Sequence, residues 1–170
     1  MELLEHWTLQ LQVLGTTAYA MVLGGAIGFE REMKNRPAGF RTHMLVAGAA
    51  AMLVGLVDLI ALRYAGEAYR ELVRIDPIRL IEAAVAAVGF IGAGTIFRSG
   101  PGSLVFGVTT AASLLMVSVI GIAAGVHAHL LAIGATVLTL AVLALLGWFE
   151  RRSGSAQTAR EDVTDPPHGR

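Results

Sequence analysis

The sequence predicts an all-α fold, namely a polytopic membrane helix bundle with about five transmembrane helices and no soluble domain. The chain has 170 residues, of which 55% are apolar and only 15% are charged, whereas a soluble domain carries about 25% charged residues. Most of the charged residues fall in three stretches, 30–41, 63–82 and 150–170. Between residues 99 and 149 there is no Asp, Glu, Lys or Arg. Such a long uncharged run indicates a chain that lies in lipid.

The composition also excludes several classes of function. The net charge is zero, so bulk charge gives no reason to expect a nucleic-acid partner. The chain has no cysteine, which removes disulfides, thiolate metal sites and thiol nucleophiles. There is no H-E-x-x-H motif and no Ser–His–Asp order, so we predict neither an enzyme nor a resident cofactor. The acidic start of the chain argues against a cleaved signal peptide.

Five stretches are long and apolar enough to span the hydrocarbon core, which requires about 20 residues. They lie at about 8–29, 42–62, 77–97, 103–124 and 127–148. We therefore assign residues 1–150 to one transmembrane domain.

The connections have their own signals. Arg36-Pro37-Ala38-Gly39 predicts a turn, because Pro fixes one dihedral and Gly permits the next. Residues 65–74 suit a short helix along the membrane interface. Asp76 and Pro77 are typical of an N-cap and the first residue of a helix. Residues 151–170 are polar and are predicted to form a disordered tail.

The Lys and Arg residues of the short loops predict the orientation. With the N-terminus outside, seven of them lie on the inner side and four on the outer side. Because positive loops stay in the cytoplasm, we expect the N-terminus outside and the C-terminus in the cytoplasm. The outer loop also carries acidic residues that balance its four positive charges.

The first inner loop, here called the inner hairpin, is dense in charge. Its candidate functional residues are Glu30, Arg31, Glu32, Arg36, Arg41 and Thr42. The sequence leaves three interpretations open. The loop is a solvated segment that sets topology, or a Glu–Arg network that holds the first two helices together, or a binding surface for a partner protein or a phosphate.

Three acids are the candidate cation ligands. Asp58 and Glu82 lie inside predicted helices, where a carboxylate is costly, and Asp76 lies on the same predicted side of the membrane, as do His127 and His129. Together these residues could bind a divalent cation such as magnesium through oxygen. The alternative is intrahelical pairing, of Asp58 with Arg63 and of Glu82 with Arg79.

Glycine and hydroxyl residues complete the candidate set. Gly89, Gly92 and Gly94 fall within six residues of the third helix. They predict close helix packing or a broken helix along a transport pathway. Thr109 and Thr110 place hydroxyl groups in the fourth helix, where they can bond to their own backbone or to a neighbouring helix.

Four stretches, taken in order, resemble the MgtC/SapB family of bacterial inner-membrane proteins. They are Gly25–Glu32, Arg36–His43, Asp76-Pro77 leading to Gly89–Ile96, and Gly107–Ala112. The resemblance carries over the residues that match the family's motifs, which are Glu30, Arg31, Arg41, Thr42, Asp76, Gly92, Gly94, Thr109 and Thr110. Two regions depart from the pattern: Leu114 and Leu115 stand where family members often have Trp, and Glu82 stands where they often have Gln.

The resemblance implies a multi-helix protein of the bacterial inner membrane, linked to growth under magnesium limitation and, in pathogens, to virulence. It also implies a membrane protein partner such as the rotary ATP synthase, which some members inhibit. Members commonly add a soluble C-terminal domain, which we do not expect here.

Two functional hypotheses arise from these residues. The first is a regulator that responds to magnesium limitation or stress and acts by contacting another membrane protein through the inner hairpin. The alternative is a magnesium or other cation transporter or channel. That alternative favours a homo-oligomer, because five helices form a small bundle for a pathway.

Overall fold

The structure, a computed structural model, describes residues 2–64, 76–98 and 105–161. These residues form five α-helices and one antiparallel pair of short strands. The helices are α1 (Glu2–Met33), α2 (Phe40–Arg63), α3 (Pro77–Gly94), α4 (Val108–Gly125) and α5 (His129–Glu161), and the strands are β1 (Phe97–Arg98) and β2 (Val105–Phe106). The predicted all-α membrane bundle is therefore confirmed. The interfacial helix predicted at 65–74 lies outside the described residues.

The described helices have the length and apolar character of membrane spans. Four of them meet both criteria, namely α1 from Trp7 onward, α2, α3 and α4, and α5 adds a shorter apolar segment, His129–Leu145. Large apolar side chains cover the outside of the bundle, and Phe90 and Leu130 are 84% and 87% exposed. A surface of this kind is covered by lipid, since it is far more apolar than the surface of a soluble monomer. The protein is embedded in a bilayer.

Helix α4 lies at the centre of the bundle. It packs against each of the other four helices, and its Leu114, Val117 and Ile120 are fully buried. Helix α3 is peripheral, because only three of its residues, Ala84, Val88 and Gly92, are buried. The centre of the core is therefore the helix without any charged residue, and the helix that carries Glu82 lies at the edge.

Small residues set the spacing between α2 and its neighbours. A Cβ atom added to Gly24 of α1 would lie 2.7 Å from the Cβ of Ala47. A Cβ atom added to Gly121 of α4 would lie 2.9 Å from the Cβ of Ala50. These contacts are shorter than side chains tolerate, so the backbones approach as closely as glycine allows.

The boundary between the third and fourth helices differs from the prediction. Helix α3 ends at Gly94 and α4 begins at Val108, where the sequence predicts helices at 77–97 and 103–124. Between them β1 pairs with β2, and the rings of Phe97 and Phe106 stack 5.9 Å apart. Hydropathy alone missed the strands, because Phe and Val suit a strand as well as a spanning helix. Gly107 then starts α4 with a positive φ of 91°, which favours glycine.

Helix α5 continues to Glu161, past residue 150, where the sequence places the start of a disordered tail. Residues 151–161 belong to this helix. Helix formers such as Ala156, Gln157 and Ala159 are compatible with this extension. The division into a domain at 1–150 and a tail at 151–170 otherwise stays a prediction.

The two ends of the bundle carry different structures. One end, here called the hairpin end, contains the inner hairpin and the β1–β2 pair. The other, here called the far end, contains the last turns of α2 and α4 and the first turns of α3 and α5. The predicted orientation places the hairpin end in the cytoplasm, and it stays a prediction.

Candidate functional site

A cluster of three charged side chains lies at the hairpin end of α1. The Glu30 carboxylate is 2.5 Å from the Arg31 guanidinium through one oxygen and 2.5 Å from Lys34 Nζ through the other. The side chains are 3% exposed for Arg31, 17% for Glu30 and 22% for Lys34. A charge removed from water is tolerated when it is paired. The Glu30 carboxylate therefore holds the Arg31 and Lys34 side chains in fixed positions.

Lys34 extends this charge cluster to α5. Its Nζ donates a hydrogen bond to the backbone carbonyl of Leu143 at 3.0 Å. Gly147 lies one helical turn beyond Leu143, and a Cβ atom at that position would overlap Lys34 Nζ. Glycine at 147 leaves room for the ammonium group, so the end of α1 is tied to α5.

Glu32 makes the link from α1 to α2. Its carboxylate accepts a hydrogen bond of 2.7 Å from the backbone N–H of Phe40, the first residue of α2. The N-cap residue, Gly39, has no side chain with which to cap the helix, and Glu32 supplies an acceptor there instead. The sequence suggested a Glu–Arg network that joins α1 to α2. In the structure Glu30 pairs with Arg31 and Lys34 of the same chain segment, and the link to α2 is the hydrogen bond from the Phe40 N–H to the Glu32 carboxylate.

An open groove of about 330 Å³ lies over these links. The exposed Arg36 and Arg41 and the half-buried Thr42 contribute to it. Its lining residues are Glu32, Arg36, Gly39, Phe40, Arg41 and Thr42. The structure therefore separates the six candidate residues of the inner hairpin. Glu30 and Arg31 form a buried base, and the other four face this groove.

A buried polar contact below the inner hairpin joins α2 to α4. His43 is fully buried, and its Nδ1 lies 2.9 Å from the Gly39 carbonyl. A carbonyl accepts only, so Nδ1 carries hydrogen. The other ring nitrogen, Nε2, lies 3.0 Å from the Ser113 hydroxyl, which is also 2.8 Å from the Thr110 carbonyl. This contact spans 70 positions of sequence and fixes the register between the two helices.

A second cavity at the hairpin end, of about 170 Å³, brings together residues that the sequence singled out separately. We call it the hairpin cavity. Its lining residues are Asn35, Arg36, Pro37, Phe97, Phe106, Gly107, Thr109 and Thr110. Arg36 thus lines the same cavity as Thr109 and Thr110, which come from the start of α4.

The three glycines of α3 differ in their surroundings. A Cβ atom on Gly92 would lie 3.2 Å from the Cβ of Ala111 in α4, and Gly92 is buried. Gly89 and Gly94 have nothing within 4 Å of an added Cβ atom. The packing role predicted for the set therefore falls on Gly92. Helix α3 is also continuous through these positions, so the broken helix is not observed.

The three candidate acids of the far end are all exposed. Asp58 borders a small cavity of about 20 Å³ with Gln12, Thr16 and His127. Among the described residues no group of three or more His, Asp or Glu side chains could hold a metal ion. The three acids and the two histidines therefore do not form one cluster within that part of the chain, and Asp58 and His127 alone share a cavity.

The local partners of these acids also differ from the expected pairs. Asp76 accepts a 3.0 Å hydrogen bond from the N–H of Ile78, which confirms it as the N-cap of α3. Arg79 lies 3.9 Å from Asp76 rather than beside Glu82. Neither the expected Glu82–Arg79 pair nor an Asp58–Arg63 pair occurs among the described side chains.

Three residues of the hairpin end were not in the predicted set: Lys34, His43 and Ser113. Lys34 follows Glu30 by four positions, a spacing that signals a helical ion pair. His43 stands in the Arg36–His43 stretch. Ser113 closes the run Thr109–Ser113, whose hydroxyl groups the sequence expects to bond to their own backbone or to a neighbouring helix, but its contact with His43 depends on how α2 and α4 pack.

Comparison with known proteins places the chain in a family. The model of the MgtC family matches residues 18–152. The chain is 30% identical to Protein SapB of Bacillus subtilis over 95% of this chain and 68% of that protein. It is 36% identical to the Escherichia coli K12 protein named "Putative magnesium transporter YhiD" (73% and 55%), and 40% identical to Protein MgtC of Brucella abortus (76% and 49%).

No solved structure matches this one. The chain spans about half the length of the YhiD and MgtC relatives, and the matched residues, 18–152, include the charge cluster, the groove and the hairpin cavity. The protein belongs to the MgtC family.

Proposed function

We propose that this protein is a membrane regulator that responds to magnesium limitation and acts by binding a membrane protein partner at the hairpin end. One observation carries the proposal, namely the paired and partly buried Glu30–Arg31–Lys34 cluster beneath an exposed charged groove. Because α1 is tied to α5 by Lys34 and to α2 by Glu32, the groove is presented on a fixed base. A preorganised surface loses little conformational entropy when a partner docks.

The groove offers charged contacts of both signs, since Glu32, Arg36 and Arg41 lie along it. Charges of this kind steer association and select partners by complementarity. With the inner membrane as the proposed location and the N-terminus outside, the groove faces the cytoplasm. The rotary ATP synthase is the first partner to test, on the strength of the family resemblance.

The experiment combines growth with co-purification. Deletion should impair growth at low magnesium, and a tagged wild-type copy should restore growth and retain a membrane partner. Arg41→Glu reverses a charge in the groove and should abolish both effects. Arg63→Glu, an exposed position at the far end, is the matched control and should behave as wild type. Normal growth of the deletion strain, with no partner retained, would contradict the proposal.

A cation transporter is the second candidate. The small cavity bordered by Asp58 and His127 supports it, as does the magnesium in the name of the YhiD relative. A homo-oligomer would be needed, because a bundle of this size is small for a pathway. Purified protein in liposomes should then move magnesium, and Asp58→Asn should abolish the flux. Flux no greater than that of empty liposomes, with folded protein present, removes this candidate.

A further inference from the structure

We propose that a cleft between α4 and α5 binds one acyl chain of a membrane phospholipid. The cleft, here called the lateral cleft, has a volume of about 290 Å³ and is lined by residues 109–116 of α4 and 138–143 of α5. It shares no lining residue with the charged groove of the proposed function. The proposal therefore goes beyond that function and requires no protein partner.

The lateral cleft opens on the outer surface of the bundle. Its walls are formed by residues of both helices that are exposed on that surface. These residues are Ala112 and Met116 of α4 and Leu138 and Val142 of α5. Because lipid covers this surface, the occupant of the cleft enters from the bilayer and not from water.

The floor of the cleft is buried, and its hydroxyl groups are already bonded. The Thr139 hydroxyl donates to the Ala135 carbonyl at 2.7 Å. The Ser113 hydroxyl lies 2.8 Å from the Thr110 carbonyl and 3.0 Å from His43 Nε2. None of the described lining residues is charged. A cleft of this kind offers water few partners and stays dry, so its occupant is apolar.

The direction and width of the cleft fit an extended chain. Thr109, Ser113 and Met116 are spaced by four and three positions, so they share one face and the cleft follows the helix axis. At about 1.5 Å per residue, its length along α4 is about 10 Å. The volume of about 290 Å³ then gives a mean cross-section of roughly 30 Å², less than half that of a helix about 10 Å across. The cleft is too narrow for a partner helix and suits a single acyl chain.

One end of the cleft reaches the polar hairpin end. Thr109 lines both the lateral cleft and the hairpin cavity, and it is the second residue of α4. Phe97 and Phe106 line the same cavity and are each about half exposed. Aromatic side chains at the end of a span mark the membrane interface. This junction fits an amphiphile whose polar part stays at the interface while its chain descends between α4 and α5.

A bound chain would also support the contact that ties α1 to α5. Leu143 lines the lateral cleft, and its backbone carbonyl accepts the hydrogen bond from Lys34 Nζ. A chain in the cleft adds dispersion contacts that an empty cleft lacks. Because such a ligand binds the folded state, phospholipid should raise the unfolding temperature of the protein.

The first test measures binding by the purified full-length protein in detergent. Native mass spectrometry follows titration with dioleoyl phosphatidylglycerol and, separately, with dioleoyl phosphatidylcholine. One lipid should bind per chain, with similar affinity for both headgroups, because only the acyl chain enters the cleft. Ala112→Phe places a ring in the cleft and should weaken binding about tenfold, the loss expected when two methylene groups are expelled. Ala86→Phe, the same change at an exposed alanine of α3, is the matched control and should bind as wild type does.

The second test locates the chain in a bilayer and needs no variant. The wild-type protein is placed in phosphatidylcholine vesicles that contain a phosphatidylcholine with a diazirine in its acyl chain. After illumination, peptide mapping should find Met116 and Val142 labelled several-fold more than Phe90, which is 84% exposed on α3. If Ala112→Phe does not fold, this labelling decides alone.

Three results would overturn the proposal. Labelling of Met116 and Val142 no greater than that of Phe90 would mean that only the surrounding lipid of the bilayer is present. Binding of phosphatidylglycerol alone would place recognition in the headgroup and not in the chain. Dissociation of an oligomer by Ala112→Phe, with lipid binding unchanged, would show that a second copy of the protein fills the cleft.

Discussion

The two ends of the bundle hold their charges in opposite ways. At the hairpin end, Arg31 is buried, Glu30 and Lys34 are partly buried, and each is paired. At the far end, Asp58 and Glu82 are exposed, and neither has an ion pair among the described residues. The sequence treated both sets as candidate functional charges, and the structure separates them by burial.

The difference follows from the cost of desolvation. A buried charge that loses its partner is strongly destabilising, whereas an exposed one is not. A single substitution in the charge cluster at the hairpin end should therefore lower the stability of the fold and also disturb the exposed groove above the cluster. The far end should tolerate substitution of its exposed charges. Four predictions test this contrast, in order of decreasing effect.

The largest effect is expected for Arg31→Met. It leaves the Glu30 carboxylate with Lys34 alone in a largely buried site, at a cost of about 3–5 kcal/mol in the free energy of unfolding. Thermal unfolding in detergent measures this loss. Arg79→Met is the control, because its pair with Asp76 is long, at 3.9 Å, and exposed. Equal stability of the two variants would break the contrast between the ends.

The next effect tests packing at the hairpin end. A Cβ atom on Gly28 would lie 2.8 Å from the Phe40 Cα and 2.9 Å from the Gly39 carbonyl oxygen, both of which are backbone atoms. Gly28→Ala should therefore cost about 1–3 kcal/mol. Gly94→Ala meets nothing within 4 Å and should leave the unfolding temperature unchanged or raise it. A neutral result for both would show that α1 and α2 are not held as closely as described.

A smaller effect is expected for Ser113→Ala, which leaves the buried His43 Nε2 without its partner. The cost should be about 1–2 kcal/mol. Ser118 is the control: it is fully buried in the same helix, and its hydroxyl has no partner among the described residues. Ser118→Ala should be neutral or stabilising. The two variants are compared by their unfolding temperatures, and a larger loss for Ser118→Ala would refute the assignment of the His43 contact.

The smallest effect is expected at the far end. Asp58→Asn and Glu82→Gln should leave stability unchanged, because both side chains are exposed. They should also leave any binding of magnesium unchanged. Isothermal titration of magnesium into the wild type and each variant measures this binding. A loss of magnesium binding in either variant would favour the transporter candidate over the regulator.

The sequence predicted much of the fold and a smaller part of the candidate site. The five helices were found because hydropathy over about 20 residues reports on the bilayer. The Asp76 cap was found because its signal is local. The β1–β2 pair was missed, because Phe97 and Phe106 have the same hydropathy in a strand as in a spanning helix. Lys34 and Ser113 were missed for a different reason, since each acts through a contact with another helix.

By itself, the sequence determined that the chain lies in a membrane, where the helices run and which stretch concentrates the charge. These properties depend on composition and on neighbours a few positions apart. Only the tertiary structure decided that Arg31 is buried while Arg41 is exposed, and that Thr110 lies in the same cavity as Arg36. Burial and contacts between distant residues depend on how helices pack, and packing is set by the whole bundle and not by any one segment.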